Sequence, residues 1–151
     1  MLIYKNDDIL KATENIICHQ VNVDGIMGGG LAYQIARTYP NVEIFYRDYC
    51  NFLSNNYELL KDDYCIVQAK QNQYIANCFT QKPNFETDYD SLKVCFEALL
   101  NMCKNNNKTI CVPYKYGCGI AKGDWNIVEI ILSELSDKYG VDISIYRLEK
   151  W

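Results

Sequence analysis

The chain has 151 residues, of which 49% are hydrophobic and 23% charged, and this size and composition fit one globular domain over residues 1–151. The formal net charge of −4 argues against a basic face that grips a nucleic-acid backbone. An anionic ligand would therefore be bound by local groups, such as backbone N–H donors and helix N-termini.

The eight cysteines include no Cys-x-x-Cys pair of the kind found in zinc sites and redox motifs. Several lie in apolar runs, as in "NIICHQV" and "TICVPY", which favours buried free thiols and a reducing, cytoplasmic compartment. The N-terminus "MLIYKNDDIL" does not resemble a signal peptide, and no apolar stretch reaches the ~20 residues that a membrane span needs. We therefore expect a cytoplasmic protein that does not contact a membrane.

Strand-like and helix-like segments alternate along the chain. Short apolar runs predict strands at 2–5, 15–22, 64–69, 74–80, 109–114 and 142–148. Apolar residues at helical spacing predict helices at 31–39, 42–53, 88–104 and 125–139. Pro40 ends the first helix, and Gly140 is expected to cap the last. Strands separated by helices indicate an α/β sheet domain, in which ligands bind at the carboxyl ends of the strands.

Two glycine-rich segments, "VNVDGIMGGGLA" and "YKYGCGIAKGDW", each follow a predicted strand and open a predicted helix. Glycine lets the backbone approach an oxygen closely, and a helix N-terminus presents unpaired N–H groups, so the two loops together suit a pyrophosphate. The first segment lacks the Gly-Lys-Ser/Thr of a P-loop and fits the dinucleotide fingerprint poorly. The alternative is that the glycines serve only to make tight turns.

The order of these motifs along nearly the whole chain resembles the macrodomain family. The matching stretches are "NDDIL", "ICHQVN", "GIMGGGLAYQIARTYP", "IANCFTQ", "VPYKYGCGIAKGDW" and "ISIYRL". The resemblance implies a three-layer α/β/α sandwich around a central mixed sheet, with an ADP-ribose pocket along its crest. The run "GGGLAYQIARTYP" is most similar to the branch that holds the ADP-ribose-1''-phosphate phosphatases and the terminal ADP-ribose glycohydrolases.

The resemblance also implies roles for individual residues. Asp8 matches an aspartate that accepts a hydrogen bond from the adenine amino group, with the Ile9 amide beside it, and Leu148 would flank the adenine. Asn22 matches the asparagine that faces the distal ribose. The two phosphate loops would be formed by Gly28, Gly29, Gly30 and Leu31, and by Gly117, Cys118, Gly119, Ile120 and Ala121. On their residue types alone, Asp8 could instead cap a turn or helix, and Asn22 could hold its own loop by side-chain bonds.

The chain departs from the glycohydrolase branch at the catalytic positions. That branch has a lysine where this sequence has Gln81, and Lys82 is one residue out of register. It also has an aspartate where this sequence has Ala121, with Asp124 three positions further on. Lys82 could act only if the chain bends there, because neighbouring residues of an extended segment point to opposite faces.

His19, the only histidine, stands where the phosphatase branch has a histidine, and it could activate a water near a 1''-phosphate. The alternative is a hydrogen-bonded core histidine. Asp124 is the second candidate for proton transfer, or the N-cap of the helix that follows it. Gln81 is assigned to substrate binding.

We therefore expect a monomeric macrodomain that hydrolyses an ADP-ribose derivative without a metal or cofactor. The favoured derivative is ADP-ribose-1''-phosphate, followed by ADP-ribose attached to a macromolecule. Two alternatives remain. One is a reader of ADP-ribosylated targets without turnover, and the other is a nucleotide-binding α/β domain of another kind.

Overall fold

The computed structural model describes residues 1–148, and its centre is a six-stranded sheet. The strands are β1 (Leu2–Lys5), β2 (Ile16–Gln20), β3 (Tyr64–Lys70), β4 (Gln73–Cys78), β5 (Ile110–Pro113) and β6 (Ile143–Tyr146). Their spatial order is β1-β6-β5-β2-β4-β3. All neighbouring pairs are parallel except β3 and β4, which form an antiparallel pair at one edge. The sheet is therefore mixed, as the resemblance to the macrodomain family implies.

Helices cover both faces of this sheet. They are α1 (Gly30–Thr38), α2 (Pro40–Phe52), α3 (Tyr57–Leu60), α4 (Tyr89–Asn106) and α5 (Trp125–Tyr139), and a short 3-10 helix spans Ile9–Lys11. Helices α4 and α5 bury their apolar faces in one core, while α1 and α2 pack into a second core on the opposite face. In β2, Ile16 and Cys18 belong to the first core and Ile17 to the second. The predicted α/β/α sandwich is confirmed.

The helix ends follow the expected chemistry. Asp88 is the N-cap of α4, and its side chain accepts a hydrogen bond from the Ser91 amide at 3.1 Å. Gly140 ends α5 with φ +65°, the left-handed conformation that glycine adopts most readily. Only Tyr39 separates α1 from α2, and Pro40 is the first residue of α2, so the proline that cannot continue one helix begins the next. Helix α3 was not predicted, because its four residues lie in a polar stretch.

All eight cysteines are free thiols, as predicted. Seven are buried in the two cores, and Cys118 is half-buried. Within residues 1–148, no helix combines the length and apolar character that a membrane crossing needs.

A buried carboxylate connects the segment before β2 to the ends of β1 and β6. Glu14 is only 5% exposed, and its oxygens accept hydrogen bonds from Lys5 Nζ at 2.7 Å and Tyr146 Oη at 2.6 Å. Burial raises the pKa of Glu14, but the hydrogen bonds from Lys5 and Tyr146 outweigh burial and leave the pKa below the usual 4.5. The ionised carboxylate is therefore the form that the fold stabilises.

We expect Glu14→Gln to lower the free energy of unfolding by about 2–4 kcal/mol, because it leaves the Lys5 ammonium with a weaker partner. Glu58→Gln is the matched control, since Glu58 pairs with Lys61 at 3.1 Å on an exposed helix turn. Glu58→Gln should lower the free energy of unfolding by less than about 1 kcal/mol. Because the folded pKa of Glu14 is depressed, its contribution is present above pH 4.5 and is lost as the pH falls through the folded pKa. Urea unfolding of the three proteins tests this, and equal stabilities for the two variants would contradict it.

Candidate functional site

Five parallel strands place their carboxyl ends along one edge of the sheet. Because β1, β6, β5, β2 and β4 lie side by side in that order, the segments that follow them lie in the same order. Asp8 and Leu148 follow β1 and β6 at one end of this edge. The second glycine loop follows β5, the first follows β2, and residues 79–88 follow β4 at the other end.

An open cavity of about 430 Å³ lies between these segments. Eleven of the residues expected at the site line it: His19, Asn22, Gly28, Gly29, Gly30, Leu31, Gln81, Gly117, Gly119, Ile120 and Ala121. Six others are not among its lining residues: Asp8, Ile9, Lys82, Cys118, Asp124 and Leu148. The structure adds residues that sequence reasoning missed: Gln20, Val21, Ile26, Ala32, Phe85, Pro113, Tyr114, Lys115 and Tyr116. Several of these sit inside or beside the two glycine segments, whereas nothing in the sequence singles out Phe85.

The first glycine loop leaves the N-terminus of α1 without a side-chain cap. Gly29 is the N-cap residue and contributes no side-chain hydrogen bond. The backbone favours glycine at Gly30, because its φ is +57°. A Cβ on Gly29 would have no atom within 4 Å, and one on Gly28 would meet only Ile26 Cγ2 at 3.5 Å. The fold itself therefore does not require glycine at 28 or 29.

The second glycine loop is packed against its surroundings. Gly117 has φ +72°, and a Cβ there would lie 2.8 Å from Thr87 Oγ1 and 3.1 Å from Gln20 Oε1. A Cβ on Gly123 would lie 2.5 Å from the Gly117 oxygen. Gly119 resembles Gly29, since nothing lies within 4 Å of its added Cβ. Two glycines of this loop thus serve the fold, as the tight-turn alternative proposed, and Gly119 faces open space.

Gln20 and Thr87 hold the second loop in place. Thr87 Oγ1 donates to the Gly117 oxygen at 2.5 Å, and the Thr87 amide donates to the Ala121 oxygen at 3.1 Å. Gln20 Nε2 donates to Thr87 Oγ1 at 3.1 Å, while its Oε1 accepts from Thr80 Oγ1 at 2.7 Å. The end of β2, the segment after β4 and the loop after β5 are therefore connected by one hydrogen-bond network.

Asn22 lines the cavity, and its side chain holds its own loop. Its Oδ1 accepts from Tyr46 Oη at 2.6 Å and from the Asp24 amide at 3.0 Å. Its Nδ2 donates to the Ile26 oxygen at 3.1 Å. The loop-holding alternative is therefore observed, and the contact with a distal ribose stays a prediction.

His19 lies at the cavity floor and is only 2% exposed. Its Nε2 is 2.6 Å from Asn77 Oδ1. Because Asn77 Nδ2 donates to the Cys65 oxygen at 2.9 Å, the amide orientation is fixed and His19 Nε2 must carry the proton. The Nδ1 atom then holds the lone pair of the neutral ring. Burial lowers the pKa of His19 below the usual 6.5, against the opposing effect of the Asn77 hydrogen bond.

The remaining predicted residues have structural partners outside the cavity. Asp124 caps α5 by accepting from the Asn126 amide at 2.9 Å, and it is exposed. Asp8 caps the 3-10 helix by accepting from the Leu10 amide at 3.0 Å. Lys82 lines a separate concavity together with Lys61 and other residues. The cap alternatives are thus observed for both aspartates.

The lining of the cavity carries little side-chain charge. Among the lining residues in the described part of the chain, Lys115 is the only one with a charged side chain. It lies over the Tyr114 ring at 5.6 Å from the centroid. An anion in this cavity would therefore rely on backbone N–H groups and on the uncapped N-terminus of α1.

The family model for the Macro domain matches residues 18–132, which span both glycine loops and most of the sheet. This chain belongs to the macrodomain family. The resemblance predicted from the sequence motifs is thereby confirmed.

Named relatives of this macrodomain include hydrolases. The chain is 28% identical over 148 residues to the ADP-ribose 1''-phosphate phosphatase of Lodderomyces elongisporus, covering 89% of this chain and 87% of the relative. It is 24% identical over 141 residues to the ADP-ribose glycohydrolase OARD1 of Bos taurus, covering 90% and 83%. The macrodomain of Mycobacterium tuberculosis DarG superposes with a TM-score of 0.84 at 26% identity, covering 99% of each chain.

The buried His19 should make this macrodomain sensitive to mild acid. The unfolded chain takes up a proton near pH 6.5, whereas the folded imidazole does so only at lower pH. The free energy of unfolding should therefore fall as the pH drops below 6.5, in a window above that of Glu14. We expect His19→Gln, which keeps a donor for Asn77, to remove this dependence. Urea unfolding at about pH 7.5 and about pH 5.5 measures it, and an identical pH dependence in both proteins would contradict the expectation.

Proposed function

We propose that this macrodomain binds ADP-ribose along the edge where the parallel strands end. The supporting observation is that the N-terminus of α1 is uncapped and faces the cavity behind two glycines, Gly28 and Gly29, that the fold does not require. Such a terminus attracts a phosphate, because its N–H groups are unpaired and carry a partial positive charge. The missing Cβ atoms leave room for the ligand to approach the backbone.

In this arrangement the diphosphate lies between the two loops, with Lys115 as the nearby cation. The distal ribose would lie near Asn22 and the first glycine loop. The cavity is lined there by Gly28, Gly29, Gly30 and Leu31. Each charge-assisted hydrogen bond contributes about 1.5–3 kcal/mol. Three or four of them supply much of the ~8 kcal/mol that corresponds to micromolar affinity.

The adenine would lie at the other end of the edge, where β1 and β6 end. Asp8 uses Oδ1 to cap the 3-10 helix, and a carboxylate has a second oxygen that can accept from the adenine amino group. The Ile9 amide would complete the contact. Leu148 is 55% exposed, so its side chain is accessible to one face of the base.

The reaction that we propose is hydrolysis of an ADP-ribose derivative, either the 1''-phosphate monoester or an ADP-ribosyl linkage to a larger molecule. His19 is the favoured base, because its neutral ring keeps a lone pair on Nδ1 while Nε2 is held by Asn77. That lone pair would accept a proton from the attacking water. Gln81 would contribute to substrate binding, and Asp124 and Lys82 are the remaining candidates for proton transfer.

A non-catalytic reader is the second candidate, and specific observations favour it. His19 is almost fully buried, while Asp124 and Lys82 do not line the cavity. A reader needs only the loops, whose groups are preformed. Turnover and binding must therefore be measured separately.

Binding is tested by calorimetric titration with ADP-ribose, with ADP as the control ligand. We expect Gly29→Ala to weaken ADP-ribose binding at least about tenfold, because the new methyl group occupies the ligand's space. Its stability should change by less than about 0.5 kcal/mol, since the protein leaves room for the Cβ. Gly140→Ala is the matched control and should do the reverse, losing about 1 kcal/mol of stability at its left-handed φ while binding normally. Unchanged binding by Gly29→Ala, or no binding by the wild type, would contradict the proposed site.

Turnover is tested with purified protein and ADP-ribose-1''-phosphate, following the release of phosphate. We expect His19→Gln to lower kcat by about a hundredfold or more, as for loss of a general base, while ADP-ribose affinity stays similar. Asp124→Asn retains a helix cap but cannot accept a proton, so it should keep full activity if Asp124 is only a cap. Absence of turnover on both the phosphate and an ADP-ribosylated protein would favour the reader.

A further inference from the structure

Three exposed apolar side chains line the cavity. Ile26 is 63% exposed, Phe85 49% and Ile120 75%, and all three line the cavity. They come from three different segments, which follow β2, β4 and β5 respectively. We call these three residues the apolar rim. Exposed apolar groups that line one cavity from separate segments are typical of a contact surface.

The backbone holds Phe85 in an unfavourable conformation. Its φ is +62°, a region that bulky residues rarely adopt. A tight hairpin imposes this conformation: the Lys82 amide donates to the Glu86 oxygen at 2.7 Å, and the Phe85 amide donates to the Lys82 oxygen at 3.0 Å. Gln81 and Thr87 pair at its base. Glycine or asparagine would suit this turn better, and the half-exposed ring gains little from burial in the fold.

The hairpin is fixed relative to the second glycine loop. Thr87 ends the hairpin and hydrogen-bonds to both Gly117 and Ala121 in that loop. The backbone that carries Phe85 is therefore tied to a wall of the cavity and does not belong to a loosely attached loop.

The position of the hairpin along the sheet edge indicates what the ring would contact. The proposed function places the adenine near Asp8 and Leu148, at one end of the sheet edge. The hairpin follows β4 and lies at the opposite end. A ligand that runs along the edge thus directs its distal ribose toward the hairpin. A group attached to that ribose would leave the cavity past the apolar rim.

We propose that Phe85, with Ile26 and Ile120, is a specificity element that contacts the group attached to the distal ribose and selects conjugates with a flat, apolar group. This inference rests on the proposed binding of ADP-ribose. An aromatic ring gains most from offset stacking on another flat surface. The rim's side chains offer no hydrogen-bond donor to a phosphate dianion, so a 1''-phosphate would gain nothing from them.

The test compares two ADP-ribose analogues, one with a phenyl and one with a methyl group joined to C1'' by a carbon–carbon bond. Neither can be hydrolysed there, so calorimetry reports binding alone. We expect the wild type to bind the phenyl analogue about tenfold tighter than the methyl analogue. Phe85→Ala should reduce this preference to about twofold or less while leaving the affinity for free ADP-ribose within about twofold. Phe85→Tyr should retain the preference.

Phe52→Ala is the matched control, because Phe52 is 84% exposed at the end of α2 and does not line the cavity. It should leave all three affinities unchanged. Equal affinities of the wild type for the two analogues, or a preference that survives in Phe85→Ala, would overturn the specificity role while the binding of ADP-ribose stands. Failure of the wild type to bind ADP-ribose and both analogues would overturn the proposed function and this inference together.

Discussion

The parallel alignment of five strands is the constraint on which this structure depends. It brings the segments that follow β1, β6, β5, β2 and β4 to one edge of the sheet. It also makes α1, α4 and α5 begin near that edge, each with unpaired N–H groups in its first turn. The side chains of Asp88 and Asp124 each accept a hydrogen bond from one of these groups in α4 and α5, whereas Gly29 provides no side-chain acceptor for α1. Among these three helices, only α1 therefore begins without a side-chain cap, and this is the terminus to which we assign the phosphate in the proposed function.

The polar side chains that line the cavity already make hydrogen bonds within the protein, and this bears on whether they can take part in the proposed hydrolysis. Asn22 uses both ends of its amide within its own loop, and His19 is held by Asn77. Such engagement fixes the shape of the cavity before a ligand arrives, which favours binding. It also leaves the backbone as the main source of donors. Burial keeps the His19 ring neutral at physiological pH but makes it a weaker base, so the same environment supports and limits proton transfer.

Sequence patterns predicted most of the fold because the signals are local. The apolar spacing of α4 and the glycine after α5 each lie within a few residues of what they determine. Local signals could not predict two features of the site, the packing of Gly117 and the place of Phe85 at the cavity. The packing of Gly117 depends on Gln20 and Thr87, which are distant in sequence, so its structural role could not be separated from that of Gly29. The approach of Phe85 to the cavity depends on the hairpin geometry, which leaves no periodic pattern.

The seven buried thiols make the unfolded chain vulnerable to oxidation. In the native state they are shielded from reagents by close packing, because reaction requires an accessible thiolate. Each excursion to the unfolded state exposes all of them at once, along with Cys118. In a solution with an oxidant, refolding then competes with the formation of disulfides that the native cores do not contain. The kinetic lifetime of the native state, and not only its equilibrium stability, therefore sets how long this protein survives outside reducing conditions.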